Sequence, residues 1–219
     1  MEHKRHVNDR KETTRIEMFS DGVFAIAITL LVLELIGTLH PESDESLLNS
    51  LVHHWHSLLA FAIGFITILV CWINHHVALE CIHKVDTNFM WINGFLLFVV
   101  TLTPFPTAIL AEYLEKEQTI ALAVYGFNYI LISIAADGIC TYAYNRHLVD
   151  EDCREYYSAY KIIYRYAIYF NIVAFALCFV STIIPIILYT ILFAFFAAPK
   201  EFASRLHRIR IGKVKKQSE

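Results

Sequence analysis

Six stretches of the chain are apolar over the length needed to cross a bilayer, and short polar connectors separate them. A hydrocarbon core about 30 Å thick needs roughly 20 apolar residues as a helix. It offers no water to an unpaired backbone group, so such stretches fold as helices. The first covers about residues 16–37 and the second 53–76, with "LLAFAIGFITILVCWI" inside it. The third covers 88–111, with "FMWINGFLLFVVTLTPFPTAIL", and the fourth 119–145. The fifth and sixth, 161–181 and 182–198, are nearly continuous. Pro185 just after Ser181-Thr182 suits a helix start and predicts a tight hairpin between them. The composition agrees: 57% of residues are hydrophobic, above the roughly 45–50% of soluble domains. We expect an all-α membrane protein, one six-helix domain over residues 1–219, with polar tails at 1–14 and 199–219.

The placement of Lys and Arg gives an orientation. Five lie in the tail through Arg15, seven lie from Lys200 onward, and the connector after the first span has none. With six spans and both termini cytoplasmic, seventeen of the eighteen basic residues fall inside and only Lys116 falls outside. An odd number of spans would erase this asymmetry, which the positive-inside rule requires. The outer connectors are acidic, with Glu42, Asp44, Glu45, Glu112, Glu115 and Glu117. Such groups either keep loops soluble or concentrate cations at a pore mouth. The basic "RLHRIRIGKVKK" reads as a segment lying on anionic lipid or as a topology signal. Residues 1–13 are polar, and no small-residue cleavage site follows the first span, so no cleavable leader is expected. The expected surroundings are a lipid bilayer and no nucleic acid.

Sequence motifs for most chemistries are missing. There is no GxxxxGK[ST], no HExxH, no GxSxG and no TVGYG-like carbonyl filter, which argues against ATP-driven transport, hydrolysis and a pore-loop filter. Five scattered cysteines without a CxxC read as core residues. The "HHWH" and "NHH" clusters have no cysteine or carboxylate at ligand spacing, so no metal is expected.

The informative stretch is "TRIEMFSDGVFAIAITLLVLELIG". It opens the first span with Arg15, Glu17, Ser20 and Asp21, at the membrane level of Trp72, Asn74, His75 and His76 on the second. Polar groups at that depth need partners. A network of Arg15, Ser20 and Asp21 with Asn74 and one of the two histidines satisfies them together. Beyond it, Phe19, Gly22, Ile26, Leu30, Leu33 and Gly37 form a stripe at three- or four-residue steps, with Thr29 on its flank. Periodicity reads the stripe as facing lipid or core, although apolar rings also gate pores by dewetting. Asp137 and Glu34 are ionisable residues inside spans and therefore candidate proton or ion sites. They carry the alternative of a proton-coupled secondary transporter or proton-permeable channel. An intramembrane enzyme has no nucleophile–base pair to support it.

Arg15-x-x-x-Phe19-Ser20-Asp21 followed by "AIAITLLVLEL" resembles the motif of the transmembrane protein 175 family, cation channels that favour potassium. "CWINHH" on the second span resembles the same family, and one six-helix repeat matches its prokaryotic branch. The resemblance implies a homotetramer whose pore is lined by the first helix of each subunit. It implies a hydrophobic constriction at Ile26, further apolar rings at Leu30 and Leu33, and a selectivity layer at Thr29. Arg15, Phe19, Ser20, Asp21, Trp72, Asn74, His75 and His76 then form the motif network, with either histidine as the family's. The implied activity is potassium-preferring conduction in the inner membrane of a prokaryote, with permeating K+ and no cofactor.

Overall fold

The computed structural model describes residues 2–38, 48–49, 52, 54–113 and 116–197, with side chains from residue 12 onward. The basic tail from Lys200, the acidic residues Glu42, Asp44, Glu45 and Glu115, and His53 lie outside the described residues.

The described chain is helical almost throughout. The helices are α1 (Glu2–Thr38), α2 (Trp55–Glu80), α3 (Thr87–Leu102), α4 (Pro104–Tyr113), α5 (Gln118–Asn145), α6 (Arg154–Leu177) and α7 (Ile183–Phe196). Among the described residues, four segments are long and apolar enough to cross a membrane: Glu12–Gly37, Trp55–Glu80, Thr87–Tyr113 and Gln118–Asn145. The chain is therefore an all-α, multi-pass membrane protein. α6 begins at Arg154, well before the expected position, and α7 has 14 residues. The chain turns through residues 178–182 just before Pro185, where a proline near a helix start loses no needed N–H.

The third span divides where a single helix was expected. Thr103 separates α3 from α4, because Pro104 and Pro106 cannot donate backbone bonds and disfavour helical geometry before them. The Thr103 hydroxyl accepts a bond from Asn128 Nδ2 at 3.1 Å, tying the break to α5. α3 has a clear start: Asp86 Oδ1 accepts from the Phe89 amide at 2.8 Å, and Asp86 also accepts from the Tyr142 hydroxyl. A short acceptor side chain at this position satisfies an otherwise orphaned N–H.

α1 packs on α2, α3 and α4, while α5 and α6 form the most extensive helix pair. The α2–α3 and α5–α6 connectors meet at one end of the bundle in an antiparallel bridge between Ile82 and Val149. Asp150 N–H donates to Cys81 O at 2.9 Å, and His83 N–H donates to Leu148 O at 3.1 Å. Both helix pairs are thereby fixed in register.

Close approach of α2 to α4 depends on Gly64. A Cβ there would stand 2.8 Å from Thr107 Oγ1 and 3.1 Å from Leu31 Cδ2 of α1. Thr107 has little freedom to yield, since its hydroxyl is bonded to Thr103 O at 2.8 Å. We expect Gly64→Ala to destabilise the subunit by about 1–3 kcal/mol through overpacking, read as a lower unfolding midpoint in detergent. Gly94→Ala, with nothing within 4 Å of its added Cβ, should leave the midpoint unchanged or raise it.

Candidate functional site

α1 has two unlike faces. Ser20, Phe24, Ala27 and Leu31 are buried, at 0%, 1%, 0% and 1% exposure. They recur every three or four residues and so form one face. The predicted stripe lies roughly 130° around the helix from them, at about 100° per residue. Phe19, Ile26 and Leu33 are 66%, 59% and 63% exposed, and Gly22, Thr29 and Leu30 are exposed beside them. The stripe is thus no part of the subunit's own core. The Thr29 hydroxyl donates to Ile26 O at 2.8 Å. Its single proton is engaged on the helix, so its oxygen offers lone pairs outward.

At the polar end, α1 meets its neighbours at three points, two of them hydrogen bonds. Trp72 Nε1 donates to Asp21 Oδ1 at 2.8 Å, a charge-assisted bond of the stronger kind. Asn93 Nδ2 donates to Ser20 Oγ at 3.0 Å, and Asn93 Oδ1 lies 2.7 Å from His75 Nε2. Asn93 and His75 are 3% and 4% exposed, so this chain from α1 through α3 to α2 runs wholly inside the protein. The His75 ring also sits against Phe24, with centroids 5.3 Å apart. Third, His76 Nδ1 lies 3.2 Å from Glu17 Oε1, and its Nε2 lies 3.5 Å from Glu80 Oε1. Trp72 and His76 stack at 5.8 Å.

The two histidines that the sequence could not separate therefore occupy different places. His75 joins Ser20 through Asn93, and His76 pairs with carboxylates at the surface. Asn93 and Glu17 were not expected to take part. The signal for Asn93 was its position as a lone amide in the apolar run "FMWINGF", since such a group needs a partner.

Asn74 departs from the expected network. It turns away from α1 and donates to Val70 O at 2.8 Å and to Phe196 O at 2.9 Å, anchoring the end of α7. Neighbouring residues on a helix point about 100° apart, and here Asn74 reaches α7 while His75 reaches α3. Arg15 is exposed and has no partner among the described residues. Asp137 is held in a fork by Arg165, with Nε and Nη2 donating at 3.0–3.2 Å, and Thr141 beside the pair. Glu34 is exposed. Among the described residues, no group of three or more His, Cys, Asp or Glu is placed to hold a metal ion.

The site is thus a helical membrane bundle whose first helix is tied to its neighbours at one end and bare along an apolar stripe. A sequence model described as endosomal/lysosomal potassium channel TMEM175 matches residues 15–104. The chain is 41% identical over 193 residues to a potassium channel of Chamaesiphon minutus, covering 86% of this chain and 95% of that one. It is 40% identical over 126 residues to a potassium channel of Streptomyces collinus, covering 57% and 61%. The solved structure of a lysosomal potassium-selective channel TMEM175 homologue from Chamaesiphon minutus superposes with a TM-score of 0.74 at 40% identity, over 85% of this chain and 97% of that one. The chain belongs to the TMEM175 family, in its prokaryotic branch. That family consists of ion channels, so the chain is not an enzyme.

The buried chain makes a specific prediction. Asn93→Leu leaves Ser20 and His75 facing an apolar side chain, and unpaired buried groups of this kind cost about 1–3 kcal/mol each. We expect a loss of about 2 kcal/mol, seen as a lower unfolding midpoint of the purified protein in detergent. Trp72→Phe should cost less, because Asp21 is only partly buried and can recruit water.

Proposed function

We propose that four copies of the chain form a homotetrameric, potassium-preferring cation channel in the inner membrane of a prokaryote. Each subunit contributes one domain of six spans with both termini cytoplasmic, and α1 lines the pore. The observation that carries this reading is the division of α1. Its Ser20–Phe24–Ala27–Leu31 face is buried in its own subunit, while Ile26, Thr29, Leu30 and Leu33 are left bare. The relatives named as potassium channels support the choice of ion. α6 and α7 serve as the fifth and sixth spans. α7 is short at 14 residues, about 21 Å of helix, a mismatch that local bilayer thinning accommodates. Six spans also keep the basic residues on one side.

Four Ile26 side chains around an axis form a ring that excludes water and so raises the cost of an ion's passage. Leu30 and Leu33 extend the apolar wall. Between them, the outward lone pairs of Thr29 give a partly dehydrated cation an oxygen ligand. The bonds to Asp21 and Ser20 fix the polar end of α1, with Glu17 lying beside His76. Opening is then dilation or rotation of the helix about that anchored end, with K+ as the permeating ion and no cofactor. A carrier working through Asp137 finds less support, because the Arg165 fork holds that carboxylate in a structural pair.

The test is potassium flux from proteoliposomes. Ile26→Ser puts hydroxyls into the constriction, and lowering the barrier by about 1.4 kcal/mol raises passive flux about tenfold. Asp137→Asn should leave potassium flux unaltered, whereas a carrier using that group would lose uptake. Unchanged flux in Ile26→Ser would remove Ile26 from the pore.

A further inference from the structure

Four basic residues gather where the α5–α6 connector joins its two helices: Arg146, Arg154, Lys161 and Arg165. On α6, Arg154, Lys161 and Arg165 follow at steps of seven and four, so they share one face. Each reaches across to α5 or its end, at Tyr144, Asn145 and Asp137. α1 packs instead on α2, α3 and α4, so this face is separate from the polar end of α1.

The partners of these cations are mostly neutral. The Arg154 guanidinium carbon lies 4.9 Å, and Lys161 Nζ 5.0 Å, from the centroid of the Tyr144 ring. The two charges are therefore within about 10 Å of each other, near one screening length. Lys161 Nζ also donates to Asn145 Oδ1 at 3.3 Å. Arg154 Nη1 lies 2.8 Å from His147 Nδ1; a guanidinium only donates, so that imidazole is neutral. Arg146 sits over the Tyr142 ring at 5.7 Å. Glu151 is 85% exposed and reaches Arg154 only at 4.0 Å, and Asp150 lies beside His83 at 3.4 Å. Asp152 and Glu155 are exposed, and Glu155 stands about 100° round α6 from Arg154.

Arg165 is the one cation of the four in a carboxylate fork, and the fork is lopsided. Its side chain is 48% exposed against 13% for Asp137, so the pair turns its cation outward and its carboxylate inward. Nε and Nη2 serve Asp137 and Thr141. The two N–H donors of Nη1 have no partner among the described residues. Lys161 stands one turn away on the same face and is its neighbour. Beyond Arg165 the surface becomes aromatic and then aliphatic: Tyr166 and Tyr169, then Ile172 of α6 and Ile134 of α5, are all exposed. Cations at the bundle end, aromatic rings next and aliphatic side chains beyond follow the layering of a bilayer leaflet.

We propose that this face of α5 and α6 binds an anionic phospholipid, with its phosphate between Lys161 Nζ and Arg165 Nη1 and its acyl chains along Ile134 and Ile172. Arg154 and Arg146 add charge at the headgroup level. A zwitterionic headgroup would bring an ammonium among these cations and is disfavoured. A soluble anion would satisfy the cations but leave the apolar continuation without an occupant. The site lies within one subunit and does not rest on the pore assignment.

The experiment is native mass spectrometry of the full chain in detergent, titrated with phosphatidylglycerol or with phosphatidylcholine carrying the same acyl chains. Wild type should retain one phosphatidylglycerol per subunit about tenfold more tightly than phosphatidylcholine. Arg154→Gln combined with Lys161→Gln should abolish that preference, and Lys161→Arg should keep it. If the double variant fails to fold, Lys161→Gln alone should lower the preference about fivefold. Lys84→Gln removes an exposed cation from the α2–α3 connector at the same end of the bundle and should leave the preference intact. Equal retention of the two lipids by wild type, an unchanged preference in the Lys161 variants, an equal loss in Lys84→Gln, or displacement of phosphatidylglycerol by an equal concentration of inorganic phosphate overturns the proposal.

Discussion

The buried hydrogen-bond chain Ser20–Asn93–His75 constrains the bundle more tightly than any apolar contact. Apolar side chains in a membrane can slide against one another or against lipid with little change in energy, because lipid tails are as apolar as leucine. Polar groups have no such freedom. Ser20, at 0% exposure, has one donor into its neighbourhood, Asn93, and Asn93 in turn meets His75. Moving α1 by one residue relative to α3 would break the Ser20–Asn93 bond, and moving α2 relative to α3 would break the Asn93–His75 bond. The register of three helices is therefore set by three side chains, and the Trp72–Asp21 bond and the Glu17–His76 contact reinforce it within one turn.

The rest of α1 follows from that anchoring. With Ser20 turned inward, Phe24, Ala27 and Leu31 are turned inward too, and small Gly64 lets α2 and α4 close over Leu31. Ile26, Leu30 and Leu33 are then turned away from the subunit. The polar end, which looks costly in a membrane helix, orients the apolar length above it. Under the proposed assembly the same geometry puts these residues on the pore axis.

Much of this was legible in the sequence, for identifiable reasons. The apolar runs announced the helices because a bilayer fixes their length. The level shared by Ser20, Asp21, Trp72 and His75 announced a polar cluster. The partners within it were less visible. Asn93 is 73 positions from Ser20, and nothing local marks it beyond a lone amide in an apolar run. Asn74 looked equivalent to His75 because composition carries no angular information, yet Asn74 bonds to Phe196 O of α7 while His75 meets Asn93 of α3. The break at Thr103 was hidden because Pro104 and Pro106 sit inside a continuous apolar stretch, where neighbouring helices can satisfy the freed backbone groups. The stripe on α1 was visible as a period, but what faces it lies outside the subunit, and no single chain encodes that locally.

The central claim, that the bare face of α1 lines the conducting path, is tested most directly by accessibility during conduction. Single cysteines at positions 26, 32 and 33 would be introduced on a background in which Cys71, Cys81, Cys140, Cys153 and Cys178 are replaced. Block of potassium current by silver ions would then be measured at each. Ile26→Cys and Leu33→Cys share the stripe, and Val32→Cys lies about 120° away from Ile26. Block at 26 and 33 with none at 32 is the predicted result, and equal block at all three, or block at 32 alone, contradicts the account.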